Sequence, residues 1–267
     1  MDFFKYHGTG NDFILIDNRD GSVLLSEEII SELCHRRFGI GADGLILLNP
    51  SKEFDFDMRY FNADGKEGTM CGNGGRCITA FARHLGLISK ECTFNSIDGI
   101  HQAIILKEAK DTTYISLQMQ NVSQHKLIDE NIFMDTGSPH YVIFSDNVSQ
   151  LDVINKGRSL RYNNKFDPDG TNVNFVEVKD NGIFVRTYER GVEDETLSCG
   201  TGVTASALAY GIEKGINKGS VEIKTRGGRL KVKFERKGNN FTNIWLEGPA
   251  QRVFKGKIKE GKSEVKS

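Results

Sequence analysis

The sequence predicts an α+β protein of two related halves, each a β-rich, barrel-like layer wrapped around one central helix. Three observations carry this expectation. CGNGGRCITAFARHLG from Cys71 and CGTGVTASALAYGIEKG from Cys199 open alike, each with a cysteine, a glycine, a small polar residue and a glycine. Strand signals far outnumber helix signals along the chain. The segments after the two cysteines also lack a polar face, since Gly200 to Ile212 has no charged residue and Gly72 to Ala82 has only Arg76. A helix lying on a surface needs a polar side, so both helices are predicted to be buried. A strand-rich half buries such a helix best by wrapping its sheet around it.

Strict alternation from Phe54 to Phe61, with Phe54, Phe56, Met58 and Tyr60 on one face and Asp55, Asp57 and Arg59 on the other, predicts a half-buried strand. Shorter signals predict strands at Phe13–Asp17, Leu45–Leu48, Ile100–Leu106, Tyr114–Met119, Tyr141–Phe144, Val173–Val178, Ile183–Tyr188, Val221–Thr225, Leu230–Phe234 and Ile244–Leu246. Ser26 reads as the N-cap of a surface helix from about Glu27 to Arg36. The polar stretch Gln120–Asn131 reads as the join, giving domains 1–122 and 123–267, each with one cysteine, and with the last strand and tail able to pack back on the first half. The end, Gly256–Ser267, reads as a frayed tail.

Composition narrows the function. Lys plus Arg number 35 against 36 Asp plus Glu, which gives no electrostatic reason to expect nucleic acid or an anionic membrane as partner. No apolar run approaches the roughly 20 residues needed to span a bilayer, and the start MDFFKYHGTG lacks the regions of a signal peptide, so a cytoplasmic protein with a small-molecule ligand is expected. The five cysteines lack paired CxxC spacing, which argues against a disulfide framework or a zinc site and for reduced thiols.

Gly39, Gly41 and Gly44 spell GxGxxG, but a helix precedes them and the strand LILL follows, the reverse of a dinucleotide-binding turn. CGNGG and HGTGND lack the Lys and Ser or Thr of a phosphate-binding loop. Cys34, Cys77 and Cys92 read as small core hydrophobes. Cys71 and Cys199 differ, because glycines let backbone approach a ligand and the N–H groups opening a helix suit a carboxylate. The same helix end favours a thiolate, so either cysteine can serve as a base. Arg190 offers a planar fork for a carboxylate, while the amides of Asn11, Asn62, Asn73 and Asn172 suit a zwitterion.

HGTGNDF (His7–Phe13), FNADG (Phe61–Gly65), MCGNGGRC (Met70–Cys77), TGSPH (Thr136–His140), NVNF (Asn172–Phe175), YERG (Tyr188–Gly191), CGTG (Cys199–Gly202) and GGRL (Gly227–Leu230), in this order, make the chain resemble the diaminopimelate epimerases. The resemblance implies two pseudo-symmetric β-rich domains, no pyridoxal phosphate, no metal and no other cofactor. It implies that Cys71 and Cys199 donate and accept the α-proton, and that Asn11, Asn62, Asn172, Glu189 and Arg190 contact substrate. Backbone of Gly72, Asn73, Gly200 and Thr201 would hold the reacting carboxylate. Some members carry Gln where Gly44 stands and Asn where Ser138 stands. The implied activity is interconversion of LL- and meso-diaminopimelate in lysine and peptidoglycan synthesis. A two-cysteine racemase of another amino acid, of the histidine or proline type, and a non-catalytic amino-acid binding protein are the alternatives. A homodimer stays open.

Overall fold

The computed structural model describes residues 1–258, which form two compact units, Met1–Leu117 with the stretch from Pro249, and Gln118–Gly248. The chain therefore crosses between units twice, first near the end of one strand and again within another. Among the described residues no helix is long and apolar enough to cross a membrane.

The first unit contains strands β1 (Asp2–Gly8), β2 (Asn11–Asp17), β3 (Gly44–Asn49), β4 (Phe56–Asn62), β5 (Glu67–Gly68), β6 (Glu91–Ser96), β7 (Gly99–Ala109) and β8 (Thr112–Gln118), with helices α1 (Glu27–Cys34) and α2 (Gly72–His84). Strand β1 pairs antiparallel with β2, β2 parallel with β3, β3 antiparallel with β4, β4 parallel with β6, and β6, β7 and β8 follow as antiparallel neighbours. The last strand, β17 (Asn240–Lys257), pairs with both β8 and β1 and closes the ring. Helix α2 threads this ring, and every residue from Gly72 to Ala82 is buried. The run Phe13–Ile16 of β2 is buried on both faces: Ile14 and Ile16 pack with Ile30 and Leu33 of α1, while Phe13 approaches Gly74 of α2.

The second unit repeats this plan with β9 (His125–Ile128), β10 (Asn131–Asp135), β11 (Pro139–Phe144), α3 (Val153–Arg161), β12 (Asn172–Lys179), β13 (Gly182–Glu189), β14 (Asp194–Thr196), α4 (Gly200–Glu213), β15 (Lys218–Lys224) and β16 (Arg229–Lys237). Strands β10 and β11 are antiparallel, β11 and β12 parallel, β12 and β13 antiparallel, β13 and β15 parallel, and β15, β16 and the start of β17 antiparallel. Each unit thus places one helix across the outside of its first parallel pair and one helix, led by a cysteine, inside its sheet. Helix α3 covers Tyr141, Val173, Phe175 and Tyr188, and α4 is buried along Gly202–Ala209.

Some readings need correction. The stretch Gln120–Asn131 is not a plain linker, because β9 lies in it and pairs with β10, and Val122 bridges to Phe241. The expected tail starts too early: Gly256 and Lys257 belong to β17, and Ile258 is buried and donates its N–H to Met1 O at 2.8 Å. The rest of that tail lies outside the described residues. Strand β4 begins at Phe56 rather than Phe54, and α1 ends at Cys34 rather than Arg36. Gly39, Gly41 and Gly44 do lie in a helix-to-strand turn, from α1 into β3.

Candidate active site

Cys71 is the N-cap residue of α2, in extended backbone (φ −87°, ψ 130°), directly after the β4–β5 hairpin. Its thiol donates to Asn11 Oδ1 at 3.5 Å, and the same oxygen accepts from Asn73 Nδ2 at 3.2 Å. Both amides are held from behind. Asn11 Nδ2 donates to Asp43 Oδ2 at 2.7 Å, and Asn73 Oδ1 accepts from Arg76 Nη2 at 2.8 Å. Asp43 is fixed in turn by Arg36 at 2.6 Å, which also pairs with Asp12 at 2.8 Å. Burial pushes the Asp12 carboxyl up, but Arg36 and Lys5 outweigh it and hold it down at about 2.

Arg76 is fully buried, and its partners are neutral: Gly72 O at 3.0 Å, Asn73 Oδ1, Thr9 Oγ1 at 3.5 Å and Pro249 O at 3.5 Å. Burial pulls its guanidinium down to about 10, opposed by the neighbouring Cys77 and Cys71 thiols. Asn62 stands at the exposed end of β4, where its Oδ1 accepts from Tyr60 Oη at 2.9 Å. A Cβ added at Gly44 would come within 2.6 Å of the Tyr60 ring. The tyrosine therefore occupies the space that a side chain at Gly44 would need.

Cys199 is the N-cap residue of α4 (φ −112°, ψ 119°), and here the sulfur does cap the helix, accepting Gly202 N–H at 3.4 Å. Thr201 Oγ1 lies 3.4 Å from the same sulfur. Thr201 is held by its carbonyl, which accepts from Thr136 Oγ1 at 2.9 Å, and by its hydroxyl, 2.9 Å from His140 Nε2 and 3.2 Å from Ser138 Oγ. Asn172 Nδ2 donates to Pro139 O at 2.8 Å and to Ser138 Oγ at 3.4 Å, while its Oδ1 accepts the Arg190 backbone N–H at 2.9 Å. Glu189 ends β13 and Arg190 follows it, with Arg190 Nη1 donating to Asp169 O at 3.4 Å. A hollow of about 540 Å³ opens beside Ser138 and Arg190 and is lined by both signs of charge, Lys126 and Lys165 as well as Asp135, Asp167 and Asp169.

In both units the cysteine carbonyl accepts the first main-chain bond of the helix, from Gly75 N–H to Cys71 O (2.8 Å) and from Val203 N–H to Cys199 O (2.9 Å). The opening N–H groups, at Gly72 and Asn73 and at Gly200 and Thr201, thus lie where a helix presents its positive end to an anion. The environments of the two sulfurs differ in kind: Cys71 faces an amide oxygen, an acceptor, whereas Cys199 faces a backbone N–H and a hydroxyl. Cys34, Cys77 and Cys92 are buried, and burial pushes the Cys34 and Cys92 thiols up to about 12 and Cys77 higher still.

In the first unit, Cys71, Gly72, Asn73 and Asn11 of the predicted residues share one network, while Asn62 is tied to Tyr60. In the second, Cys199, Thr201, Asn172 and Arg190 are linked through Ser138, while Gly200 O accepts from Thr204 Oγ1 at 2.9 Å. Sequence reasoning missed His140, Asn174, Arg76 and Asp43. His140 and Asn174 stand inside quoted motifs, TGSPH and NVNF, and the alternate Asn172 and Asn174 that open β12 were the available signal of a polar pair on one face.

Two β-rich units, each with a sheet around a buried helix, make up a fold that this chain shares with solved structures of low sequence identity. A phenazine biosynthesis protein of the PhzF family from Bacillus anthracis matches with a TM-score of 0.75 at 16% identity over 97% of this chain and 99% of that one. A probable proline racemase from Agrobacterium radiobacter matches with a TM-score of 0.73 at 13% identity over 97% and 93%. Sequence shows the family. The diaminopimelate epimerase family profile matches residues 3–123 and 132–253. Diaminopimelate epimerase of Flavobacterium psychrophilum is 49% identical over 97% of this chain and 100% of its own length, and that of Chlorobaculum tepidum 43% over 94% and 98%. The chain belongs to the diaminopimelate epimerase family, a family of isomerases.

Proposed function

We propose that this protein interconverts LL- and meso-diaminopimelate, the step shared by lysine and peptidoglycan synthesis, in the cytoplasm. The reading is carried by one observation: in a chain matched along nearly its whole length by diaminopimelate epimerases, a cysteine stands at the head of each of two buried helices. One sulfur, as thiolate, takes the α-hydrogen as a proton, so the C–H bond breaks and an S–H bond forms. The electron pair stays on the α-carbon and delocalises into the carboxylate. The other sulfur gives its proton to the opposite face, its S–H bond breaking as the new C–H bond forms.

The α-proton of an amino acid is much less acidic than a thiol, so the developing charge on the carboxylate needs preorganised donors. The opening N–H groups at Gly72 and Asn73 and at Gly200 and Thr201 fill that role. Asn11, Asn62, Asn172, Glu189 and Arg190 contact the rest of the substrate, and the mixed charges beside Arg190 suit an ammonium and carboxylate together.

Proton NMR in deuterated water tests this, using LL-diaminopimelate beside histidine, proline and 4-hydroxyproline. The expected result is α-deuterium incorporation with inversion of diaminopimelate alone, and loss of inversion in Cys71→Ala and Cys199→Ala. Inversion of another amino acid instead would overturn the substrate. Full inversion by either variant would overturn the two-cysteine route, and absence of any exchange by the unaltered protein would leave a binding protein.

A further inference from the structure

Asn174 is completely buried on β12, two residues beyond Asn172, and stands in a hydrogen-bond chain that reaches Cys199. Its Nδ2 faces two groups, His140 Nδ1 at 3.0 Å and the Tyr141 carbonyl oxygen at 3.4 Å. A carbonyl oxygen only accepts, so the amide's N–H₂ side must point this way. Its Oδ1 accepts from Thr187 Oγ1 at 2.9 Å. The amide is also wedged against the first turn of α4, since a Cβ added at Gly202 would lie 2.5 Å from Asn174 Oδ1.

That orientation decides the imidazole. His140 is fully buried, and burial, then the nearby Arg190, pull it down to about 3, so the ring is neutral and has one N–H. Nδ1 accepts from Asn174 and the proton therefore sits on Nε2. Nε2 then donates, with Thr201 Oγ1 at 2.9 Å and Ser138 Oγ at 3.0 Å as its acceptors. The Thr201 hydroxyl proton is not drawn onto the ring and can point to Cys199 Sγ, beside the Gly202 N–H.

We infer that Asn174 is a positioning residue for Cys199: it holds His140 in the Nε2–H form, and this turns the Thr201 hydroxyl into a donor that stabilises the Cys199 thiolate. The role rests on the proposed two-cysteine chemistry and extends it to a residue that touches neither substrate nor sulfur. In the opposite tautomer, Nε2 would compete for the Thr201 proton and the sulfur would lose a charge-assisted bond.

The test joins nitrogen NMR of protein labelled at its histidines with alkylation of Cys199, mapped by mass spectrometry in a Cys71→Ser background. For the unaltered His140 the expected signature is a protonated Nε2 and an unprotonated Nδ1 from pH 5 to 8. Asn174→Asp, an isosteric acceptor, should move the proton to Nδ1 or charge the ring. It should also shift the pH profile of Cys199 alkylation upward by about one unit, about tenfold slower at pH 7. Thr201→Val should reproduce the alkylation shift while leaving the tautomer alone, and Thr201→Ser should restore it.

An Nδ1–H ring in the unaltered protein would overturn the inference, and this reading does not depend on whether any variant folds. An unshifted alkylation profile in a folded Asn174→Asp variant would overturn it equally. Neither readout needs turnover, so failure of the proposed epimerase activity would be recognised separately, by absence of α-deuterium exchange.

Discussion

Acidification from pH 7 to 4 should weaken the folded protein chiefly through His140. Its ring is held down to about 3, first by burial and second by Arg190, against 6.5 for an ordinary histidine. Between these values the unfolded chain binds a proton that the folded chain does not. Stability therefore rises with pH in this window and is fully present only above about 6.5. One proton is worth about 1.36 kcal/mol per pH unit, so the fall from 6.5 to 4 removes about 3 kcal/mol. His84 and His125 are also held down by burial and nearby cations, but both are more solvent-accessible than His140. Asp12, at about 2, has the same sign in a lower window: its contribution is present above 3.8 and lost as pH falls toward 2. Urea unfolding followed by the fluorescence of Trp245, the single tryptophan, measures the difference in unaltered protein and in His140→Gln. The variant should lose much less between pH 7 and 4. Equal pH dependence in the two proteins would refute the assignment.

Three further outcomes follow from packing and charge. Gly157→Ala would place a Cβ 2.4 Å from Tyr188 Cβ, pushing α3 off β13, and should cost about 1–3 kcal/mol in urea unfolding; an unchanged midpoint would show that α3 shifts freely. Glu195→Leu would strip Arg186 of a double contact, 2.6 Å at each oxygen, in a shielded site where Arg186 also holds the carbonyls of Val148 and Leu151. The loss should be about 3–5 kcal/mol, since it leaves a largely buried charge without its partner. In a Cys71→Ser, Cys199→Ser double variant, the buried Cys34, Cys77 and Cys92 should resist a charged thiol reagent at pH 8 and react after unfolding in guanidinium. Rapid labelling of the native form would contradict their place in the core.

Legibility followed the range of the forces. Ser26 caps α1 through Ile29 N–H at 3.4 Å, and the buried helices after Cys71 and Cys199 announced themselves by absent charge. Strand β1 escaped because Phe3, Phe4, Lys5 and Tyr6 are all buried, which erases alternation, and its lysine is held by Asp12 at 2.7 Å and by the Gly41 carbonyl. Helix α3 escaped because it buries only Val153 and Gly157. In the second half-site, Asn172 was visible as an amide suited to a zwitterion, whereas His140 was seen only as the last residue of a motif.

The sequence by itself determined the duplication, the strand-rich class, the two helices that must be enclosed and the cysteine at the head of each, because periodicity and missing charge act over a few residues. Only the tertiary structure decided which polar groups meet. His140 and Asn174 lie on β11 and β12, whose parallel register sets His140 opposite Asn172 and Val142 opposite Asn174. That register depends on α3 crossing between the strands and on the sheet closing around α4. The direction of a hydrogen bond in a buried chain depends on every partner at once, and those partners are assembled only when the chain folds.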